Sequence, residues 1–223
     1  MNDRFVTSNH AQESVLATNK VLRNTYALLS MTLITSAITA FIALVVGITP
    51  MISLVMTLAA LGIVFFILPK AVNSSSGIMW TFVFTGLMGA SLGPTLAYYL
   101  SMPAGSSIIM QALGTTGLVF LGMSAYAISS KKDFSFMNGF LVAGVIALLV
   151  AMIANIFLGI PALSLAISSI AVLIFSAFIL YNTSNIINGG ESNYIRATIS
   201  LYLDIFNIFI HLLNLLGIMS SDD

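Results

Sequence analysis

The chain has 223 residues, 59% of them apolar and only 6% charged, with a mean hydropathy of +1.07. Soluble domains carry roughly 25% charged residues, so this chain cannot clothe a water-facing surface, and disorder, which needs much charge and few apolar residues, is excluded with it. Seven basic and seven acidic side chains cancel, which leaves no electrostatic footprint for nucleic acid, and the absence of cysteine removes disulfides and thiolate chemistry. What remains is a polytopic protein whose solvent is the lipid bilayer.

The charges are clustered. None falls in 24–69, 71–130 or 134–190, and each gap is long enough for two crossings of about 20 residues with a turn between. Six helices are expected at about 24–46, 51–68, 78–100, 107–128, 137–158 and 162–181, and a seventh, with polar residues inside it, from about Arg196 to Met219. Turns containing Pro50, Pro103 and Pro161 separate the uncharged pairs, as proline and glycine do where helices end. The fold class is therefore an all-α polytopic membrane protein. Its runs are continuous and too long for the strands of a barrel, and the first begins too late and runs too long for a cleaved signal peptide. Residues 1–23 are read as a polar cytoplasmic N-terminal tail, and 24–223 as one seven-helix bundle.

Orientation follows from the cations. Arg4, Lys20 and Arg23 precede helix one, Lys70 lies between helices two and three, Lys131 and Lys132 between four and five, and Arg196 opens helix seven. All seven fall on one side, and Lys and Arg are retained in the cytoplasm. The N-terminus is expected inside, and Asp222 and Asp223 outside.

Small residues mark helix contacts in outline. Gly139, Ala143, Ala147 and Ala151 recur every four residues and lead to Asn155, giving helix five one smooth face. Gly89 and Gly93 form a GxxxG pair on helix three, followed by Pro94. Such positions let membrane helices approach closely. A hinge at Gly93-Pro94 is the alternative reading, since proline inside a helix kinks it.

Helix seven differs from the others. Arg196, Ser200, Asp204, Asn207, His211 and Asn214 fall within an arc of roughly 80° at about 100° per residue. Lipid cannot accept a face that is polar from end to end, so it must turn into the bundle or a water-filled cavity. A charge at mid-membrane costs at least ~2.5–3.5 kcal/mol on insertion scales, and Asp204 is the one acidic residue inside these segments. It is the candidate functional group. Asn207 and Asn214 read as interhelical hydrogen-bonders, and His211 reads equally as a proton shuttle or a packed ring.

Enzyme signatures fail. Gly122-Met123-Ser124-Ala125 imitates the GxSG of rhomboid-type proteases but lacks the closing glycine. An aspartyl protease needs two carboxylates sharing a proton, and only Asp204 qualifies. No catalytic residue, cofactor or firm metal site is expected.

Three stretches carry a resemblance. They are Lys20-Val-Leu-Arg-Asn-Thr-Tyr26, Lys131-Lys-Asp-Phe-Ser-Phe-Met-Asn-Gly139, and the run from Thr183 through Asn-Ile-Ile-Asn-Gly-Gly-Glu-Ser-Asn-Tyr-Ile-Arg-Ala-Thr to Tyr202. Together they resemble the Bax inhibitor-1 family over nearly the whole chain, and within it the bacterial inner-membrane branch linked to the FtsH protease. The resemblance implies a central helix seven wrapped by the other six. It implies a partner, FtsH with its associated membrane regulators, of which the protein is a slow substrate and a brake on the degradation of other membrane proteins, with 1–23 as the segment gripped. It also implies, for other members, a pH-responsive calcium leak governed by an acidic pair on helices six and seven. Asp204 matches the helix-seven acid, but the helix-six position is Asn182. Affinity for calcium rises with ligand charge, so binding and leak are expected to be weak here.

Overall fold

A computed structural model describes the backbone of residues 3–220 and the side chains of 18–220. It is all-helical among these residues, and seven helices are long and apolar enough to cross a membrane. They are α1 (Asp3–Val46, its span Thr18–Val46), α2 (Pro50–Ala71), α3 (Ser76–Leu100), α4 (Gly105–Ser130), α5 (Ser135–Leu158), α6 (Pro161–Ile187) and α7 (Tyr194–Met219). The polar stretch expected as a separate tail is helical from Asp3 and runs without a break into the first span.

The short turns follow local chemistry. Thr49 caps α2, its side chain accepting from the Ile52 N–H at 3.4 Å, with Pro50 at the first helical position, where its missing N–H costs nothing. Gly159 ends α5 with φ +62° while its N–H reaches the Asn155 carbonyl at 2.8 Å. That left-handed closure favours glycine.

Proline does not stop α2 where the sequence suggested. The helix passes Pro69 to Ala71 by widening into a π-turn over Ile63–Ile67, which relieves the clash that proline makes with the preceding turn. In α3 the helix is interrupted at Leu92, between Ser91 and Gly93-Pro94.

Burial ranks the spans. In α7, 56% of its most apolar stretch is buried, against 11% in α5 and 17% in α2. Helix α7 lies against α1, α3, α4 and α6, while α2 packs chiefly on α3 and α5 on α6. The centre is thus walled by four spans, with two more outside them.

The two small-residue patterns have opposite fates. A Cβ on Gly89 would meet the Ser36 backbone and the Thr39 hydroxyl, and one on Gly93 would stand 3.0 Å from Ala43. The GxxxG pair therefore seats α3 on α1. On α5, Gly139, Ala143 and Ala147 are exposed, and nothing lies within 4 Å of a Cβ on Gly139. The smooth face looks outward, and Gly144 makes the contact instead, against Ile174 of α6. Spacing reveals a smooth face but not the side on which its partner stands.

The run between α6 and α7 has a structural task. Asn193 caps α7, its Oδ1 accepting from the N–H groups of Ile195 (3.0 Å) and Arg196 (3.1 Å). Its amide nitrogen donates to the Val72 carbonyl (3.0 Å) and Asn73 Oδ1 (2.9 Å), tying α7 to the α2–α3 turn. Ser184 and Asn188 both donate to the Lys132 carbonyl, at 2.9 and 3.3 Å, and hold the α4–α5 turn on α6.

Gly89→Leu should separate α1 from α3 and destabilise the bundle by about 1–3 kcal/mol or more, the range for overpacking. Gly139→Leu should be close to neutral. Reversible unfolding in detergent compares them, and equal losses would contradict this packing.

Candidate functional site

The polar face of α7 meets a complementary face of α6. Ser164, Ser168 and Asn182 fall within roughly 40° of one another at about 100° per residue, and the two helices run antiparallel side by side. Where the faces meet, Asn182 Nδ2 donates to Asp204 Oδ2 at 2.7 Å. Asp204 is 5% exposed and stands about 15 Å along α7 from its start at about 1.5 Å per residue. A polar layer lies beside it. Thr183 Oγ1 is 3.4 Å from the Tyr26 hydroxyl of α1 and 3.5 Å from Ser124 Oγ of α4.

Farther along, a second polar group forms around Ser168. Asn214 Nδ2 donates to Ser164 Oγ (3.0 Å) and Ser168 Oγ (2.8 Å), and His211 Nδ1 lies 3.2 Å from the same Ser168 oxygen. The imidazole stacks on Phe175, ring centres 6.4 Å apart at 15°. His211 is therefore both packed and hydrogen-bonded, and the two readings of it are compatible in space.

The remaining members of the stripe behave differently. Arg196 is exposed and pairs with Glu191 at 3.7 Å, so the stripe enters the bundle only after its first member. Ser200 is half-buried. Asn207, expected to bridge helices, donates to the Leu203 carbonyl of its own turn at 2.8 Å. The fully buried Ile179 and Ile208 lie, in sequence, between the Asp204 and His211 groups. The polar face is thus two separate hydrogen-bonded groups.

A third buried polar contact escaped the sequence. The Tyr202 hydroxyl lies 2.7 Å from Ser36 Oγ and donates to the Thr85 carbonyl at 3.3 Å, with its ring edge-on to Phe84. It joins α7 to α1 and α3. Tyrosine on an apolar helix face gives no polar signal by periodicity. Ser164 and Ser168 at i, i+4 did give one, readable only once α7 was known to face α6.

Two cavities flank the central helix. One, of about 410 Å3 between α1, α3, α4 and α7, is almost wholly apolar, and its Ser36, Tyr202 and Thr116 hydroxyls all have partners. The other, of about 400 Å3, is lined by Tyr99 of α3, Asn155 of α5, Ser164 and Ser168 of α6, and His211 and Asn214 of α7. Chemically, Asp204 is a single buried carboxylate held by one amide. Among the described residues no three His, Cys, Asp or Glu side chains gather as a metal set, and calcium asks for six to eight oxygens.

Comparison with known proteins agrees with this architecture. Residues 18–221 match the family described as inhibitor of apoptosis-promoting Bax1. An uncharacterized membrane protein of Vibrio cholerae serotype O1 is 59% identical over 223 residues, covering 100% of both chains. The modulator of FtsH protease YccA of Escherichia coli K12 is 51% identical over 220 residues, 99% of this chain and 100% of the relative. An uncharacterized protein of Pseudomonas aeruginosa is 47% identical over 203 residues, 91% of each. With a central helix carrying Asp204, seven spans and a match over nearly its whole length, the chain belongs to the Bax inhibitor-1 family of membrane proteins.

Proposed function

We propose that this protein is a non-enzymatic regulator of the inner membrane that binds the FtsH protease and slows its turnover of other membrane proteins. The observation that carries the reading is end-to-end similarity, 51% over 220 residues, to a protein named as modulator of that protease. A second relative, from Escherichia coli O6, is named an inner membrane protein. The basic residues Lys20, Arg23, Lys70, Lys131, Lys132 and Arg196 support a cytoplasmic N-terminus through the retention of Lys and Arg on that side. Residues 1–23 would then be the handle available to a protease that pulls from the cytosol, since chain ends are where such engagement concentrates. The bundle behind it resists extraction, which makes a slow substrate and hence a competitor.

Affinity-tagged full-length protein, isolated from membranes that contain FtsH, should bring the protease with it, and its overproduction should lengthen the lifetime of membrane substrates. Isolation free of FtsH, with substrate lifetimes unchanged, would overturn the reading. Deleting about the first ten residues should leave the bundle inserted and lengthen its own half-life. An unchanged half-life would show that the handle lies elsewhere. A reporter fused after Asp223 should read periplasmic and one before Met1 cytoplasmic.

A second reading, cation leak through the bundle, is favoured by one observation, the buried Asp204–Asn182 contact at 2.7 Å. One carboxylate and one amide form a poor calcium site, so leak from the parent should be weak. Asn182→Asp adds the second charge at hydrogen-bond range and should raise calcium flux in proteoliposomes several-fold, on the order of the gain expected from an added ligand charge. Asp204→Asn should remove what flux there is and keep the bundle folded. Strong parental flux that Asp204→Asn leaves unchanged would contradict a leak through this pair.

A further inference from the structure

The cavity of about 400 Å3 between α3, α5, α6 and α7 holds a surplus of hydrogen-bond donors. Asn214 spends its amide protons on Ser164 and Ser168, so those oxygens act as acceptors toward it and keep their own protons to give. Neither serine returns its proton to its own helix, whereas the neighbouring Ser169 donates to the Leu165 carbonyl at 2.9 Å. The consistent direction is Asn214 to Ser168 to His211 Nδ1, at 2.8 and then 3.2 Å. With the bonds running that way, the neutral imidazole carries its proton on Nε2.

Five donors then lack a protein partner at this cavity. His211 Nε2–H is one, and the Tyr99 hydroxyl is another, each on a residue 8% exposed. Ser164 Oγ–H is the third. The fourth is the Asn155 amide nitrogen, because Asn155 Oδ1 is occupied by the Ile160 N–H at 3.1 Å. The fifth is the hydroxyl of Thr95. These atoms open onto the cavity and are not sealed in protein, since among the described residues the buried side-chain polar atom without a partner is Thr25 Oγ1, so an occupant of the cavity can take their hydrogen bonds. The rest of the wall is apolar, with Met152, Ile156, Ile167 and Ile210. No carboxylate, lysine or arginine lines it. A cation finds no carboxylate here, and an anion finds no permanent positive charge to offset its desolvation.

Depth narrows the occupant. His211 lies eight residues from the α7 end at Met219, about 12 Å at 1.5 Å per residue, while Ser164 is in the first turn of α6. The cavity therefore straddles the boundary between the hydrocarbon and the interfacial layer, which is about 5–7 Å thick on each side. Span α5 packs chiefly on α6 and not on α3, so the cavity lies where those two spans are apart.

The geometry points to a binding site for the uncharged, carbonyl-bearing region of a membrane amphiphile, which presents carbonyl oxygens to Tyr99, Asn155, Ser164 and His211 and lays its hydrocarbon on Ile156, Ile167 and Ile210 while any charged headgroup stays outside the cavity. Two membrane components share that chemistry, the ester carbonyls of a phospholipid and the ring carbonyls of a quinone.

The test is retention. Full-length protein is reconstituted in vesicles of phosphatidylethanolamine and phosphatidylglycerol, in diester form or as diether analogues without carbonyls. After extraction in detergent, bound amphiphile is counted by native mass spectrometry, with and without added ubiquinone. The parent should keep one diester molecule and far less of the diether. Tyr99→Phe combined with His211→Phe keeps two rings but removes two donors, and should weaken retention about tenfold or more. Gly139→Leu, on the lipid-facing side of α5, should retain it unchanged. Displacement by ubiquinone would support the same site with a quinone as its occupant. Equal retention of diester and diether, retention unaffected by the double variant, or no retained amphiphile from a folded parent would overturn the proposal.

Discussion

A bilayer offers no hydrogen bonds at its centre, so a helix that carries Asp204, His211 and Asn214 must find its partners in protein. Helix α7 finds them on α6, through Asn182, Ser164 and Ser168, and on α1 and α3 through Tyr202. With no hydrophobic drive between helices in lipid, such bonds and close packing are what hold spans together. The central position of α7 is a consequence of its polarity.

The other spans divide according to what they contribute. Spans α1 and α3 approach closely because Gly89 and Gly93 leave room for the α1 backbone, and α4 and α6 complete the wall. Spans α2 and α5, which carry no part of the Asp204–Asn182 contact, sit outside and expose most of their side chains. Asn193 then fixes α7 at its start by bonding to the α2–α3 turn. One of the three stretches that carry the family resemblance thus registers the central helix.

Much of this was legible from residue types alone. The span count depends on where charge is absent, and hydrocarbon enforces that rule strictly. The inward face of α7 was legible for the same reason, because polar residues on one arc within the hydrocarbon turn inward, although Arg196 at the start of the arc stays exposed. Partner identity was not legible. Asn207 could turn back on Leu203 because a helix carbonyl one turn away satisfies an amide as well as a neighbour does. The α5 stripe of Gly139, Ala143 and Ala147 could face outward because small apolar residues are as soluble in lipid as in a helix contact. Tyr202 is hidden from any periodicity by its apolar ring. The Asn182–Asp204 contact came from resemblance and the geometry agrees with it, since the pair meets at 2.7 Å.

The account stands on the claim that α6 and α7 are joined by buried polar contacts, with Asp204–Asn182 the innermost. A double-mutant cycle tests it, using Asp204→Leu, Asn182→Leu and the pair together in reversible unfolding in bicelles. Each single change strands a buried polar partner, while the double change strands none. The expected coupling is about 1–2 kcal/mol, in the upper range for polar contacts between membrane helices. Additive losses, with no coupling, would contradict the central claim.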